Sequence, residues 1–272
     1  MSSRQCAPTA RRAIVRRFSI SAMLGCAFLV PSSTFAQDIG FKPVAIWGVG
    51  LGVASTQKVY RDADRDNMAI PLLHFENEHV RFFGTVGEVK LPSLRLSDTQ
   101  KIKFGLIGRY DGSGYEAKDA WVLDGMSKRK GGVWAGARAE WQTGLVDLHA
   151  DWTHDVSGNS KGQRFNLAAT RTWRPTERVT LTPRIVATWH DSKYVDYYYG
   201  VRADEVRTGR SAYLGESGVS SEVGLYGAYR FDKHHSVVFD LQATRLSSKV
   251  KNSPLVDGST ENRVFLGYMY HF

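Results

Sequence analysis

Cysteine is nearly missing from the chain, which has two in 272 residues, Cys6 and Cys26. Both lie in an N-terminal segment that carries the marks of an export signal, so the exported protein is expected to have no thiol. Exported proteins are often stabilised by disulfides, and this one has none to form. Its stability must therefore come from hydrogen bonding and packing.

Long hydrophobic runs are missing too, outside the first 36 residues. A helix that spans a bilayer needs about 20 consecutive apolar residues, and residues 37–272 contain no such run. Only 42% of the chain is hydrophobic, and the mean hydropathy is −0.31. The composition thus excludes a helical membrane protein.

The N-terminal segment lacks acidic residues and is rich in arginine, with Arg4, Arg11, Arg12, Arg16 and Arg17. An apolar stretch, SISAMLGCAFLV, follows, and PSSTFAQD then places small residues at a cleavage site after Ala36. This order is typical of a secretory signal peptide. We predict that residues 1–36 are removed and that residues 37–272 form one domain.

Removal of the five arginines lowers the formal net charge from +9 to +4. The basic character of the chain is therefore mostly a property of its signal peptide. It gives no argument for a nucleic-acid partner.

From residue 44 onward, apolar and polar residues alternate with a period of two, which indicates half-buried β-strands. In IKFGLIGRY, for example, Phe104 and Leu106 oppose Lys103 and Arg109. The pattern predicts twelve strands. They are 44–55, 67–77, 79–88, 91–97, 101–111, 131–142, 145–156, 162–174, 178–190, 217–231, 235–247 and 261–272.

The connections between these strands are alternately long and short. Long links (56–66, 112–130, 191–216, 248–260) alternate with short ones such as QTG and DKHH. Short turns on one side and long loops on the other are typical of outer-membrane barrels. We therefore predict an all-β fold, a transmembrane antiparallel barrel of about 12 strands of the bacterial outer-membrane type. The predicted location is the outer membrane of a Gram-negative cell, in contact with lipid and lipopolysaccharide.

In such a barrel the apolar face contacts acyl chains and the polar face lines the bore. The alternation predicts that one set of charged side chains lies together on the inward face. This set comprises Lys101, Lys103, Arg109, Arg138, Glu140, Asp147, His149, Asp151, Arg164, Arg184, Glu222, Arg230 and Asp240.

Tryptophans cluster near the predicted strand ends, as in the aromatic girdles at the two membrane interfaces. Trp47, Trp141 and Trp173 fall near one rim, and Trp152 and Trp189 near the other.

The chain ends in an alternating strand with Phe272 as its last residue. A closed barrel has no free edge, so this strand is expected to pair with the first one. The ending YMYHF resembles the closing strand of outer-membrane barrels, whose terminal aromatic residue is read by the assembly machinery.

Two segments are candidates for chemistry. In DLHADWTHD, Asp147, His149 and Asp151 share one strand face; they suggest either a metal-binding or hydrolase-like set, or a hydrogen-bonded row facing Arg138 and Arg164. In MSKRKGG (126–132), three cations are available to lipopolysaccharide phosphates or to solvent alone. No complete cofactor or metal motif is present, and none is predicted.

A narrower resemblance rests on three segments. GVGLGVASTQKVYRDADRDNMAIPLLHFENEHVRFFG (48–84), SKYVDYYYGV (192–201) and NSPLVDGSTENRVFLGYMYHF (252–272) resemble, in order and spacing, segments of the MipA/OmpV family of MltA-interacting proteins. The family-like loop motif comprises Tyr197, Tyr198, Tyr199, Gly200 and Val201. One departure is His271, where the family more often has a cation.

The resemblance implies an outer-membrane barrel without catalytic residues. Some members of the family are described as scaffolds that join a lytic transglycosylase to a peptidoglycan synthase, and others as porin-like or adhesive. We therefore expect a non-enzymatic scaffold first, a narrow channel or surface adhesin second, and a barrel hydrolase last. The tyrosine motif is expected either to form a contact surface or to pack above the barrel mouth.

Overall fold

The computed structural model describes residues 45–272. The predicted signal peptide, residues 1–36 with its cleavage site after Ala36, lies outside the described residues, as do residues 37–44. Within the described range, no helix has both the length and the hydropathy needed to cross a bilayer.

The described chain consists mainly of β-strands joined by loops and two short helices, α1 (Ser192–Tyr199) and α2 (Ser248–Lys251). The strands are β1 (Ile46–Thr56), β2 (Asp66–Glu76), β3 (Val80–Phe83), β4 (Val86–Lys90), β5 (Leu94–Arg95), β6 (Lys101–Asp111), β7 (Gly132–Gln142), β8 (Asp147–Asp155), β9 (Gln163–Thr170), β10 (Val179–His190), β11 (Gly218–Arg230), β12 (His235–Arg245) and β13 (Thr260–His271).

All neighbouring strands are antiparallel, and the sheet closes on itself. β1 pairs with β13 from Gly48↔His271 to Thr56↔Arg263, as expected for a first and last strand. At the other seam β4 pairs with β6, from Val86↔Arg109 to Lys90↔Gly105. The structure thus confirms a closed antiparallel barrel of 12 strands, with β5 as a short addition beside β6.

The region 79–97 differs from its prediction. The expected single strand 79–88 is a tight hairpin, β3 and β4, turned at Gly84, whose φ of +59° suits glycine. The expected strand 91–97 is reduced to β5. Lys90 pairs with Gly105 and Leu94 pairs with Ile102, so four steps along one segment match only three steps along β6. The segment from β4 to β5 therefore has one extra residue, which forms a bulge near Pro92.

Pro183, for which the sequence suggests a bulge, leaves the strand register intact. Its carbonyl accepts the Arg171 N–H at 3.3 Å, and Trp173 and Leu181 exchange two hydrogen bonds farther along in the same register. Because proline has no N–H to return to Arg171, the regular ladder of β9 ends at Thr170 instead of continuing to 174.

Side chains alternate across the barrel wall as the sequence predicts. Leu51, Leu106, Val223 and Leu266 are among many large apolar side chains exposed on the outer face. The inner face is less polar than expected, since Leu72, Val238, Phe265 and Met269 form a buried apolar cluster there. The ring of Phe265 lies where a Cβ at Gly52 would be, so glycine on β1 makes room for it.

Apart from the tight turn at Gly84, the longer loops gather at one end of the barrel and most of the short turns at the other. We call the loops 57–65, 112–131, 156–162, 191–217 and 246–259 the cap, and the end with the turns 77–79, 96–100, 143–146, 171–178 and 231–234 the turn end. The cap has its own hydrophobic core, in which Leu123, Val195 and Leu255 are fully buried. It packs over one mouth of the barrel.

Candidate functional site

Ion pairs cross between neighbouring strands on the inner face. Arg138 on β7 lies directly opposite Asp151 on β8, and its Nε and Nη2 donate to the two carboxylate oxygens at 2.5 and 3.3 Å. Lys103 Nζ donates to Glu140 at 3.2 Å. Strand register therefore brings opposite charges together without any loop being involved.

A second ion-pair group lies on β10, β11 and β12. Arg184 binds both oxygens of Asp240, at 2.7 and 3.0 Å, and donates through Nε to Glu222 at 2.8 Å. Glu222 also accepts from Gln242 at 2.6 Å. One cation here serves two acidic side chains, so the group has one acid more than it has cations.

Arg164 on β9 anchors a third group close to the cap. Its Nη1 binds Asp111 at 2.6 Å, and its guanidinium lies 3.8 Å from the ring centroid of Trp134. Such cation–π stacking suits a partly desolvated arginine. Arg109 on β6 lies in the same region and donates a long hydrogen bond, 3.4 Å, to the Thr153 hydroxyl.

The structure places every member of the predicted inward set on the inner face of the strands. Lys101, Asp147 and Arg230 are half-buried near the turn end, and the Arg230 guanidinium donates to the Glu177 carbonyl at 2.8 Å. The residues near mid-height and near the cap are more deeply buried. The set thus spreads over the whole inner wall and does not converge on one point.

The hydrolase-like arrangement of Asp147, His149 and Asp151 does not assemble. His149 Nε2 pairs with the Thr170 hydroxyl at 3.0 Å, and its Nδ1 is 3.9 Å from Glu140. Asp151 is engaged by Arg138 instead. Among the described residues, no group of three or more acidic, histidine or cysteine side chains could hold a metal ion.

The tyrosine motif lies within the cap. Asp191 caps the N-terminus of helix α1, since its side chain accepts the Tyr194 N–H at 2.9 Å. The tyrosines of α1 pack toward the barrel mouth. Tyr198 is 2% exposed, and its hydroxyl donates to the Lys130 carbonyl at 3.2 Å. Gly200 and Val201 are buried behind it. The motif therefore packs the loops above the mouth.

The cap is fixed by a buried ion pair that the sequence analysis missed. Arg129 donates to both oxygens of Glu205 at 3.0 and 2.9 Å. Burial alone would raise the pKa of the Glu205 carboxyl, but bonds from Arg129 and from the N–H groups of Ser127 and Arg202 lower it to about 2. Two loops distant in sequence hold this pair, and no periodic pattern signals it.

The basic cluster 126–132 is only partly free for anions. Arg129 is committed to Glu205, and Lys128 donates to Glu116 at 2.5 Å. Lys130 is exposed.

A cavity of about 240 Å³ lies beneath the cap, at the upper end of the inner face. Arg109 and Arg164 line one side, Glu222 and Glu261 another, and tyrosines of α1 contribute to its wall. Asp111, which sets the position of Arg164, was also missed, although the alternation of β6 places it on the same face as Arg109. The cavity is the candidate site of this barrel.

The predicted girdle tryptophans, Trp47, Trp141, Trp152, Trp173 and Trp189, are all exposed on the outer face. Phe272 is 74% exposed, and its N–H donates to the Trp47 carbonyl at 3.0 Å. The last residue thus continues the pairing of β13 with β1 while its ring projects outward.

Solved structures with a similar fold are outer-membrane proteins. A channel from Pseudomonas putida F1 covers 89% of this chain and 99% of its own length, with 14% identity and a TM-score of 0.42. The NanC porin covers 81% of this chain and 98% of its own length, with 10% identity and a TM-score of 0.41.

Two relatives match by sequence over most of the chain. The MltA-interacting protein of Escherichia coli K12 is 27% identical over 83% of this chain and 90% of its own length. The outer membrane protein OmpV of Vibrio cholerae is 23% identical over 83% of this chain and 86% of its own. Neither bears the name of an enzyme. The family described as MltA-interacting protein MipA matches residues 49–272, and the chain belongs to this family.

Proposed function

We propose that this barrel is a non-enzymatic adaptor of the outer membrane, which anchors murein-hydrolysing and murein-synthesising enzymes to that membrane. The observation that carries the proposal is the occupied bore. Arginine–carboxylate groups and an apolar cluster fill the inner face, and the cap packs over the mouth. A barrel built this way serves better as an anchor than as a wide pore.

The partner class comes from a relative. The E. coli protein is named for its interaction with MltA, and we propose that a lytic transglycosylase and a peptidoglycan synthase bind the present chain from the periplasm. Outer-membrane lipid and lipopolysaccharide are its proposed surroundings.

The turn end offers a place for such a partner. β5 pairs with β6 on one side, and no described strand pairs with its other side. An open strand edge can accept a strand from another protein through main-chain hydrogen bonds. Leu96, in the turn that follows β5, adds an exposed apolar side chain.

Co-purification tests the adaptor proposal. The full-length barrel is tagged, extracted in detergent, and the bound periplasmic proteins are identified by mass. We expect enrichment of a lytic transglycosylase or peptidoglycan synthase over an unrelated barrel, and a loss of enrichment in Leu96→Asp. Leu214→Asp is the matched control, because Leu214 is an exposed leucine in the cap. Equal recovery with the unrelated barrel would refute the adaptor.

A narrow channel is the second candidate, and the charged cavity beneath the cap is the observation that favours it. Planar-bilayer recordings on the purified barrel distinguish the two. The adaptor predicts no stable conductance above that of empty detergent controls. Reproducible single-channel steps would support the channel instead.

A further inference from the structure

The cavity beneath the cap has charged walls whose residues are not all paired with one another. Its volume of about 240 Å³ is close to that of eight water molecules at about 30 Å³ each. This is small compared with drug-sized pockets of about 300–1,000 Å³. The cavity therefore has room for a small molecule.

Arg109 provides a surplus positive charge on one wall. The acids that attract its charge most are Asp151 and Asp111. Asp111 is already paired with Arg164, and Asp151 with Arg138. Arg109 is buried, 7% exposed, and its Nε has no acceptor among the described residues.

Arg164 adds to the donors of this wall. Only its Nη1 is used, by Asp111, while Nε and Nη2 find no acceptor in the described part of the chain. Buried donors without acceptors cost about 1–3 kcal/mol each. A bound carboxylate, which accepts several hydrogen bonds from guanidinium groups, would supply those acceptors.

The opposite wall carries a surplus of acid. Glu222 and Asp240 share the single cation Arg184. Glu261 lines the cavity, and its side chain makes no hydrogen bond or ion pair within residues 45–272, although Arg263 is a nearby charge. β6 and β11 are five strands apart in a ring of twelve, so Arg109 and Glu222 face each other across the bore.

The roof of the cavity is formed by tyrosines. Tyr198 and Tyr199 of α1 and Tyr60 line it, and burial raises the pKa of each hydroxyl, so the three are neutral at physiological pH. They provide apolar ring surface and uncharged hydroxyls. The tyrosines therefore add no charge to the two walls. Lys58 and Asp66 also line the cavity, as one cation and one acid that interact with each other.

We propose that this cavity is a binding site for a small zwitterion of the amino-acid class, with its carboxylate on Arg109 and Arg164 and its ammonium group on Glu261 and Glu222. A lone anion would satisfy one wall and leave the other unneutralised. A lone cation would neutralise the acidic wall and leave the two arginines without an anion. A zwitterion neutralises both at once.

Three probes of similar size test the proposal on the unaltered full-length barrel in detergent micelles. L-Alanine carries both charges, propionate has only the carboxylate, and isopropylamine has only the ammonium group. Binding is measured by saturation-transfer NMR and calorimetry. We expect saturable binding of alanine, with a Kd on the order of 1 mM or tighter, and at least about tenfold weaker binding of the other two.

Absence of saturable alanine binding would overturn the proposal, and so would propionate or isopropylamine binding as tightly as alanine. These comparisons need no variant, so they do not depend on a substituted barrel folding. Their failure would leave the adaptor proposal intact, because alanine binding in the cavity is no part of that proposal.

Two variants then locate the site. Arg109→Gln and Glu261→Gln should each weaken alanine binding at least about tenfold, the loss of roughly one charged contact. Arg245→Gln is the matched control, since Arg245 is exposed at the end of β12. Unchanged binding in folded Arg109→Gln protein would contradict the assignment.

Discussion

Arg184 is a single arginine that donates hydrogen bonds to two acids. It binds Asp240 through two nitrogens and Glu222 through a third. Removal of one partner from a buried ion pair leaves the other charge unpaired, and this costs about 3–5 kcal/mol. Each buried charge inside the barrel therefore depends on its partner, and the contributions of the two partners to stability are not independent.

We expect Arg184→Ala to lower the free energy of unfolding by about 3–5 kcal/mol, because Asp240 and Glu222 lose their cation. Denaturant unfolding of the barrel in detergent micelles measures this. Arg171→Ala is the matched control, since Arg171 is exposed on the outside, and it should change stability by less than about 0.5 kcal/mol. Equal effects of the two substitutions would contradict the interior role of Arg184.

The cap should weaken in acid through Glu205. Burial opposes ionisation of this carboxyl, but its bonds to Arg129, Ser127 and Arg202 lower its pKa from 4.5 to about 2. Its contribution to stability is therefore complete above about pH 4.5 and is lost as the pH falls toward 2. We expect faster hydrogen exchange in the cap at pH 3 than at pH 6, after correction for intrinsic rates.

Two variants test this acid sensitivity. In Glu205→Gln, hydrogen exchange in the cap should no longer be faster at pH 3 than at pH 6. The pKa of Glu116 is also lowered to about 2, by Lys118 and Lys128, but those lysines are exposed and such pairs contribute little. Glu116→Gln should leave the acid response as it is. A response that persists in Glu205→Gln would show that another group is responsible.

At the scale of the elements, the two strand prolines have different consequences. The Leu73 carbonyl accepts the Gly84 N–H, so Leu73 and, by alternation, Pro71 direct their backbone groups toward the β3 side. β3 reaches only as far as His74, so no described strand needs an N–H from residue 71. Pro183, by contrast, lies opposite Arg171 and has no N–H to donate to the Arg171 carbonyl.

Pro183→Val should therefore stabilise the barrel, by about 0.5–1.5 kcal/mol, because it restores one ladder hydrogen bond. Pro71→Val should change the free energy of unfolding by less than about 0.5 kcal/mol. Denaturant midpoints of the two variants, compared with the parent, are the measurement. A destabilised Pro183→Val would mean that the rigid φ of proline matters more than the missing bond.

Element boundaries were predictable where the alternation was strict and unpredictable where it continued through a turn. β6, β7 and β10 match their predictions within about one residue, because Lys103, Arg138 and Arg184 alternate with apolar neighbours. In VRFFGTVGEVK the apolar residues continue on both sides of Gly84, so the sequence alone does not reveal the hairpin. The bulge near Pro92 could not be predicted either, because a shift of one residue in the strand register does not change which residues the segment contains.

At the scale of the whole molecule, the alternation of apolar and polar residues predicts only part of the structure. The period assigns a side chain to a face, so the inward charges could be predicted, including their sign. It says nothing about which distant loops meet. Tyr60 in the first loop donates to the Tyr198 carbonyl at 3.2 Å, and Arg129 meets Glu205. Because these contacts join irregular segments, the cap and the cavity under it required the three-dimensional structure.

Phe272 should matter more for the insertion of the barrel into the outer membrane than for the stability of the folded barrel. The Phe272 ring is exposed, and its centroid lies 5.1 Å from that of Tyr270. The backbone bond from Phe272 to Trp47 needs no particular side chain. We expect Phe272→Ala to reduce the amount of barrel in the outer membrane severalfold. Its unfolding midpoint in detergent, after refolding, should be nearly that of the parent.

Membrane fractionation with immunoblotting measures delivery, and Phe231→Ala is the control, because Phe231 is another exposed phenylalanine at the turn end. Normal membrane levels of Phe272→Ala would contradict an assembly role for the terminal ring.

The pairing of Gly48 with His271 has one more consequence. Both described chain ends emerge side by side at the turn end, so a short linker could join them, and new termini could be opened in the turn 143–146. Such a circular permutant would keep every strand neighbour of the parent while moving Phe272 into the chain interior. It would thereby test separately whether the barrel can close and whether the proposed assembly signal requires Phe272 at the end of the chain.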